Sequence, residues 1–277
     1  MAPFKKLGWL PDLPDHRDYS QDHPAVAFLA RSQFFAAAIA KRAPTVDLKQ
    51  WCSPVEDQND LGSCTAQAGA GLVEWFQNKA FGKYVNMSRL FIYKATRNLL
   101  YNTTEATGDT GAYLRNVLQE LVMIGAPPEE NYSYDIDCFD DEPSAFVYAL
   151  AKNYAALKYL RLVPAAGKTQ LETLLTTLAG AMPFIFGFTV YDNAPLSSGA
   201  GDTFPMPGPR SKVLGGHAVM AVGYDDNKKL IMIRNSWGTS WGRSGYGYLP
   251  YDYINKGLAD DFWTLTSETF IDTAVFK

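Results

Sequence analysis

Three stretches of the chain carry three different rhythms of apolar and polar positions. The first, residues 1 to about 45, opens with Gly8-Trp9-Leu10-Pro11-Asp12-Leu13-Pro14-Asp15. Closely spaced prolines there favour an extended path. Over 24–42, Val26, Leu29, Phe34 and Ile39 recur among alanines with helical spacing, and Pro44 ends the run. The second stretch, about 46–160, keeps a helical period. A helix is expected over 64–79, with Ala66, Ala70, Val73 and Phe76 as its inward row and Ser63 in the cap position. The small residues Ala66, Ala68, Gly69, Ala70 and Gly71 let other backbone approach it, which suits a central, buried helix. Further helices are expected over 87–100 and 111–124, the latter stopped by Gly125-Ala126-Pro127-Pro128. In the third stretch, about 161–277, strand patterns take over at 184–190, 213–224, 229–235 and 245–249. Helices followed by strands give an α+β class: an N-terminal extension (1–45), a helical lobe (46–160) and a β-rich lobe (161–277).

Composition narrows the function classes. A net charge of −4 provides no basic stripe for phosphates, so a nucleic-acid-binding patch is not expected. The most apolar run, 25–40, is interrupted by Arg31, Ser32 and Gln33 and is too short to cross a bilayer. Nor does it read as a secretory signal, because it starts late and follows Pro- and Asp-rich sequence. The expectation is a cytoplasmic or non-classically exported protein. Cys52, Cys64 and Cys138 are an odd number, so at least one thiol stays unpaired, and no C-x-x-C pair suggests zinc. No metal or cofactor is expected. Cys52 and Cys138 either bond to each other or remain two inert thiols.

The candidate chemistry starts from the histidines. There are three, and His16 and His23 lie in the extension, so His217 is the one imidazole base in the body of the chain. Residues 213–224 and 229–235 form a predicted hairpin about Asp226-Asn227. That fold sets His217 opposite Asn235 or Ser236, close enough for an amide to hold one ring nitrogen and leave the other free. Cys64 follows Gly62-Ser63 at a predicted helix start, where the helix dipole favours a thiolate. Gln58, six residues earlier, can join the Cys64 backbone N–H as an oxyanion donor.

Gln58, Cys64, His217 and Asn235, in this order and at these separations, resemble the papain-like cysteine peptidases. The Gly-His-Ala-Val stretch at 216–219 matches that family. So does Asn-Ser-Trp-Gly at 235–238, followed by Trp241-Gly242 and Gly245-Tyr246. The resemblance covers about 46–277. It implies a two-lobe fold with an active-site cleft between the lobes. The helical lobe would carry the Cys on its central helix, and an antiparallel, β-barrel-like lobe would carry the His and Asn. It also implies the roles: Cys64 attacks the peptide carbonyl, His217 is its ion-pair partner and then proton donor, Asn235 orients His217, and Gln58 helps the oxyanion hole. Trp237 would cover the Asn235–His217 contact.

Three departures stand out. Leu61 occupies a position where the family commonly has a disulfide-bonded Cys, Thr65 follows the nucleophile in place of Trp, and Gly216 precedes the His in place of Asp. These features resemble the disulfide-poor bacterial branch of xylellain-type proteins.

By the same resemblance, Gly111 supplies backbone contacts to an extended substrate and Ala218 lines the main specificity pocket. With Gly216 and Trp237 they form the candidate substrate-binding set. The expected activity is a monomeric endopeptidase acting on polypeptides, restrained by its own N-terminal segment as an intramolecular inhibitor. The alternatives are a Cys-His acyl transferase or amidase, and an inactive papain-fold binding protein.

Overall fold

The computed structural model describes residues 5–15, 18–20, 42–156, 158–164 and 167–265. The helix expected over 24–42, together with His16 and His23, lies outside the described residues apart from Arg42, which is not helical. The remaining elements follow the expected change from helices to strands. They are β1 (Thr45–Asp47), α1 (Cys64–Phe81), α2 (Arg89–Tyr101), α3 (Leu114–Met123), α4 (Ala145–Ala151), β2 (Tyr159–Arg161), α5 (Gln170–Ala179), β3 (Phe184–Tyr191), β4 (Val213–Asp225), β5 (Leu230–Arg234), β6 (Tyr246–Pro250), α6 (Tyr251–Asn255) and β7 (Ala259–Leu265).

α1 is the central helix, and its residues from Cys64 to Gln77 are buried on every face. The small residues allow this. A Cβ on Gly69 would come within 2.6 Å of Val117 on α3, and one on Gly71 within 2.5 Å of the Arg234 guanidinium on β5. Helical lobe and sheet therefore both press on one helix, which fixes the seam between them. Gly82 ends α1 in the left-handed conformation that glycine adopts at low cost. Ser63 occupies the N-cap position without capping by its side chain; its hydroxyl pairs with the Tyr134 hydroxyl at 2.6 Å instead.

The sheet is antiparallel, in the order β2-β7-β3-β4-β5-β6, with β1 also paired to β4. β1 belongs by sequence to the helical lobe, so the two lobes exchange chain at their boundary. The β4–β5 hairpin forms as expected but in a shifted register. Asp225 pairs with Leu230, and a bulge between Ala221 and Gly223 then offsets the ladder by one residue. The last pair is Met220–Arg234, which leaves Asn235 just beyond the ladder. Among the described residues, no helix is long and apolar enough to cross a membrane.

Candidate active site

Cys64 is the first residue of α1 and is fully buried. The backbone N–H groups of Gly8, Ala218 and Thr65 approach its sulfur. Asn235 Oδ1 lies 2.7 Å from Nε2 of His217 on β4, and the other ring nitrogen, Nδ1, is buried without a hydrogen-bond partner. Although the register is shifted, Asn235 thus reaches the imidazole from the end of the strand pair. Trp237 stacks on the His217 ring at 4.6 Å between centroids, and Phe188 meets it edge-on. Trp237 is itself buried, so it shields the imidazole from solvent.

Gln58 ties the site together. Its Oε1 accepts from the Ser236 hydroxyl at 2.6 Å, and its amide nitrogen donates to Leu61 O at 2.8 Å and to Lys6 O at 3.0 Å. Where the family commonly has a disulfide-bonded Cys at the position of Leu61, the adjacent loop is held by a carboxylate. Gly62 N–H donates to both oxygens of Asp109, and Tyr93 O–H donates to Asp109 Oδ1 at 2.5 Å. Cys52, Cys64 and Cys138 are all free thiols.

Residues 5–20, where described, run across this site as a strap. Trp9 N–H donates to Gly216 O, Leu10 N–H to Ala112 O, and Ala112 N–H to Gly8 O, at 2.9–3.1 Å. The backbone partner of the extended segment is therefore Ala112, not Gly111. The Gly111 N–H is taken by the Tyr93 hydroxyl, and Gly111 contributes space instead: a Cβ there would sit 2.3 Å from Gly8 O. The Trp9 indole packs on the β3–β4 surface, where a Cβ on Gly187 or Gly216 would strike its ring. Ala218 is paired with Gly187, on the face that receives the indole. At the back of this pocket Asp261 Oδ2 accepts from Trp9 Nε1 at 3.3 Å, and Oδ1 accepts from Trp263 Nε1 at 2.6 Å. Burial pushes the Asp261 carboxyl up to about 6, against the opposing effect of the two indole donors. Trp9, Ala112, Asp109 and Asp261 were not singled out from sequence. The available signal was a lone tryptophan inside a Pro- and Asp-rich run.

Burial decides the protonation of the two central groups. It drives the Cys64 thiol up to about 11, outweighing the backbone N–H groups around the sulfur. It drives His217 down to about 4, outweighing the hydrogen bond that His217 donates to Asn235. Near pH 7 the thiol and the imidazole of the covered site are therefore both neutral.

The sequence profile described as papain family cysteine protease matches residues 42–262. The chain belongs to the papain family of cysteine proteases. It is accordingly a cysteine peptidase, a hydrolase with the papain-like α+β two-lobe fold. It is 35% identical over 231 residues to the uncharacterized peptidase C1-like protein L477 of Acanthamoeba polyphaga mimivirus, spanning 81% of this chain and 73% of that one. It is 30% identical to mouse cathepsin K over 75% of this chain, which corresponds to 59% of the cathepsin. Among solved structures it is similar to xylellain, a cysteine protease from Xylella fastidiosa, with a TM-score of 0.78, 32% identity and coverage of 97% and 99% of the two chains. Digestive procathepsin L 3 of Tenebrio molitor shares the fold at a TM-score of 0.64 and 20% identity, over 90% of this chain and 76% of that one.

Proposed function

We propose that the protein is a cysteine endopeptidase that cleaves through an acyl-enzyme on Cys64 and is held inactive by its own strap. In the open enzyme, water reaches the pair that burial now keeps neutral, and the thiolate–imidazolium form becomes accessible. Cys64 attacks the carbonyl of the scissile bond. Gln58 Nε2 and the Cys64 backbone N–H receive the developing oxyanion, and His217, held by Asn235, delivers a proton to the leaving amine. Water then hydrolyses the thioester, with His217 as base.

One observation supports the restraint above others: Lys6 O already occupies the hydrogen-bond donor of Gln58 that the oxyanion requires. Together with the Gly8–Ala112 and Trp9–Gly216 bonds, this fills the backbone-binding positions on both walls of the cleft. Of the strap's side chains, Trp9 is the one sunk in a pocket. Truncating a buried tryptophan removes about 3–5 kcal/mol of packing where the site does not collapse. Trp9→Ala in the full chain should therefore raise turnover of fluorogenic dipeptide substrates by at least about tenfold. Cys64→Ala in the Trp9→Ala background should abolish it. Unchanged turnover in a folded Trp9→Ala chain would refute the restraint, and turnover that survives loss of Cys64 would refute the chemistry.

A further inference from the structure

The strap carries a second side chain into the cleft wall, at a point that no catalytic role explains. The Lys6 ammonium lies 2.7 Å from Asp109 Oδ2. We propose that Asp109 is a specificity-determining residue that selects a lysine or arginine at the substrate position whose carbonyl Cys64 attacks. This rests on the peptidase reading above and names a substrate class for it.

The wall beside Cys64 has almost no side chains of its own. Gly62 and Gly111 line it, and Gly8 of the strap fills the space between them. A Cβ on Gly8 would lie 1.8 Å from Gly62 O, and one on Gly62 would lie 2.8 Å from Asp109 Oδ1. The Asp109 carboxylate stands directly behind this gap, within reach of the four-carbon stem of a lysine placed where Gly8 now lies. Its charge also acts on Cys64 itself. Hydrogen bonds from Gly62 and from the Tyr93 hydroxyl fix its orientation.

Those bonds leave the charge uncompensated. Among the described residues, the one cation paired with Asp109 is Lys6, and the Asp109 side chain is only 9% exposed. When the strap leaves, the Asp109 carboxylate in the cleft wall loses its counter-ion, and a cationic substrate side chain supplies another. A neutral side chain leaves the anion partly desolvated and unpaired, and an acidic one adds repulsion. The Lys6 ammonium reaches Asp109 from the residue whose carbonyl holds Gln58 Nε2, so the strap itself supplies the missing charge.

The test uses the full chain and peptidyl acyloxymethyl ketones identical except at the residue bearing the ketone, with Cys64 modification followed by intact-protein mass spectrometry. Every label must wait for the same strap opening, so that equilibrium cancels in the ratio of their second-order rate constants. The lysine label is expected to react at least about tenfold faster than the norleucine label. In Asp109→Asn, which keeps the shape but removes the charge, the ratio should fall to about one. A preference that survives in Asp109→Asn overturns the proposal. So does an equal loss for both labels, which would make Asp109 a brace only. Should Asp109→Asn not fold, the wild-type order decides: lysine and arginine ahead of norleucine, and norleucine ahead of glutamate, against a flat order that overturns it. If no label modifies Cys64, the peptidase reading itself fails and takes this inference with it; modification without charge preference defeats the inference alone.

Discussion

At Cys64 two influences oppose each other, and only one of them is legible in the sequence. Gly62-Ser63 before a helical run announces a helix start, and a helix start favours thiolate. Burial works the other way and wins, which no local pattern could show because the cover comes from more than 50 positions upstream. His217 was found by elimination, and Asn235 by hairpin geometry. The contact forms even though a bulge displaces the register, since a side chain reaching past the end of the ladder tolerates that shift. Gly111 marks where the strap comes close, while the amide that binds the strap backbone is that of neighbouring Ala112, because glycine spacing shows close approach and not which amide pairs. The orienting role of Asn235 can be tested directly. Asn235→Ala removes the acceptor at His217 Nε2 and should lower kcat by about 10- to 100-fold, as expected for a hydrogen bond to a group that becomes charged. The loss should appear in kcat more than in KM, with an altered acid limb in the pH–rate profile. An unchanged kcat in a folded variant would remove Asn235 from the mechanism.

At the scale of elements, strongly periodic segments were readable and short or irregular ones were not. α1, α2, α3 and strands β3 to β6 were expected close to their observed bounds. β1 and β2, three residues each, are too short to show a period. β7 hides behind Asp260-Asp261, which look like a turn, yet Asp261 is buried with a φ of 65° in the middle of the strand, holding Trp9 and Trp263.

α3 contains a residue that its amphipathic pattern does not explain. Glu120 is fully buried, neither carboxylate oxygen has a partner, and burial raises its pKa well above the usual carboxylate range. The protonated form is therefore favoured in the folded state. Its favourable contribution to stability is fully present below the unfolded carboxylate value and is lost as pH rises from there through the raised folded value. Glu120→Gln should thus gain on wild type as pH increases and should flatten the pH dependence of stability above the ordinary carboxylate range. Glu120→Leu should stabilise at pH 7 by about 1–3 kcal/mol, by removing an unpaired buried polar group. Denaturant midpoints across that pH range measure both effects, and parallel curves for wild type and Glu120→Gln would contradict this account.

At the scale of the whole molecule, the strap is held at three places with different chemistry. Trp9 fills a pocket, Lys5 and Lys6 pair with Asp57 and Asp109 beside the nucleophile loop, and Asp12 and Asp18 converge on Arg115 of α3. The third anchor rests mainly on one side chain. The Arg115 guanidinium pairs with Asp12 at 2.6 Å, grips both oxygens of Asp18 at 2.7 and 2.8 Å, and donates to Leu13 O at 2.8 Å. Arg161 backs the same Asp18 at 3.4 Å, and its N–H donates to Tyr19 O, so the strap continues along β2, the edge strand of the sheet. Arg115 is one-fifth exposed and its pairs are partly screened, so their loss should weaken the strapped state by about 1–2 kcal/mol, less than a fully buried network would. Arg115→Ala should accordingly raise dipeptide turnover about 5- to 30-fold. Arg115→Lys should recover only part of the restraint, because an ammonium cannot reproduce the two-pronged grip on Asp18. Added salt should raise wild-type activity more than that of Arg115→Ala, since the variant has fewer strap ion pairs left to screen. Arg115→Ala and Trp9→Ala act on one opening equilibrium, so their gains should multiply only while the strap is mostly closed and should level off once it is mostly open. Gains that keep multiplying in the double variant would mean that the two residues restrain different steps, and that the strap does not move as one piece.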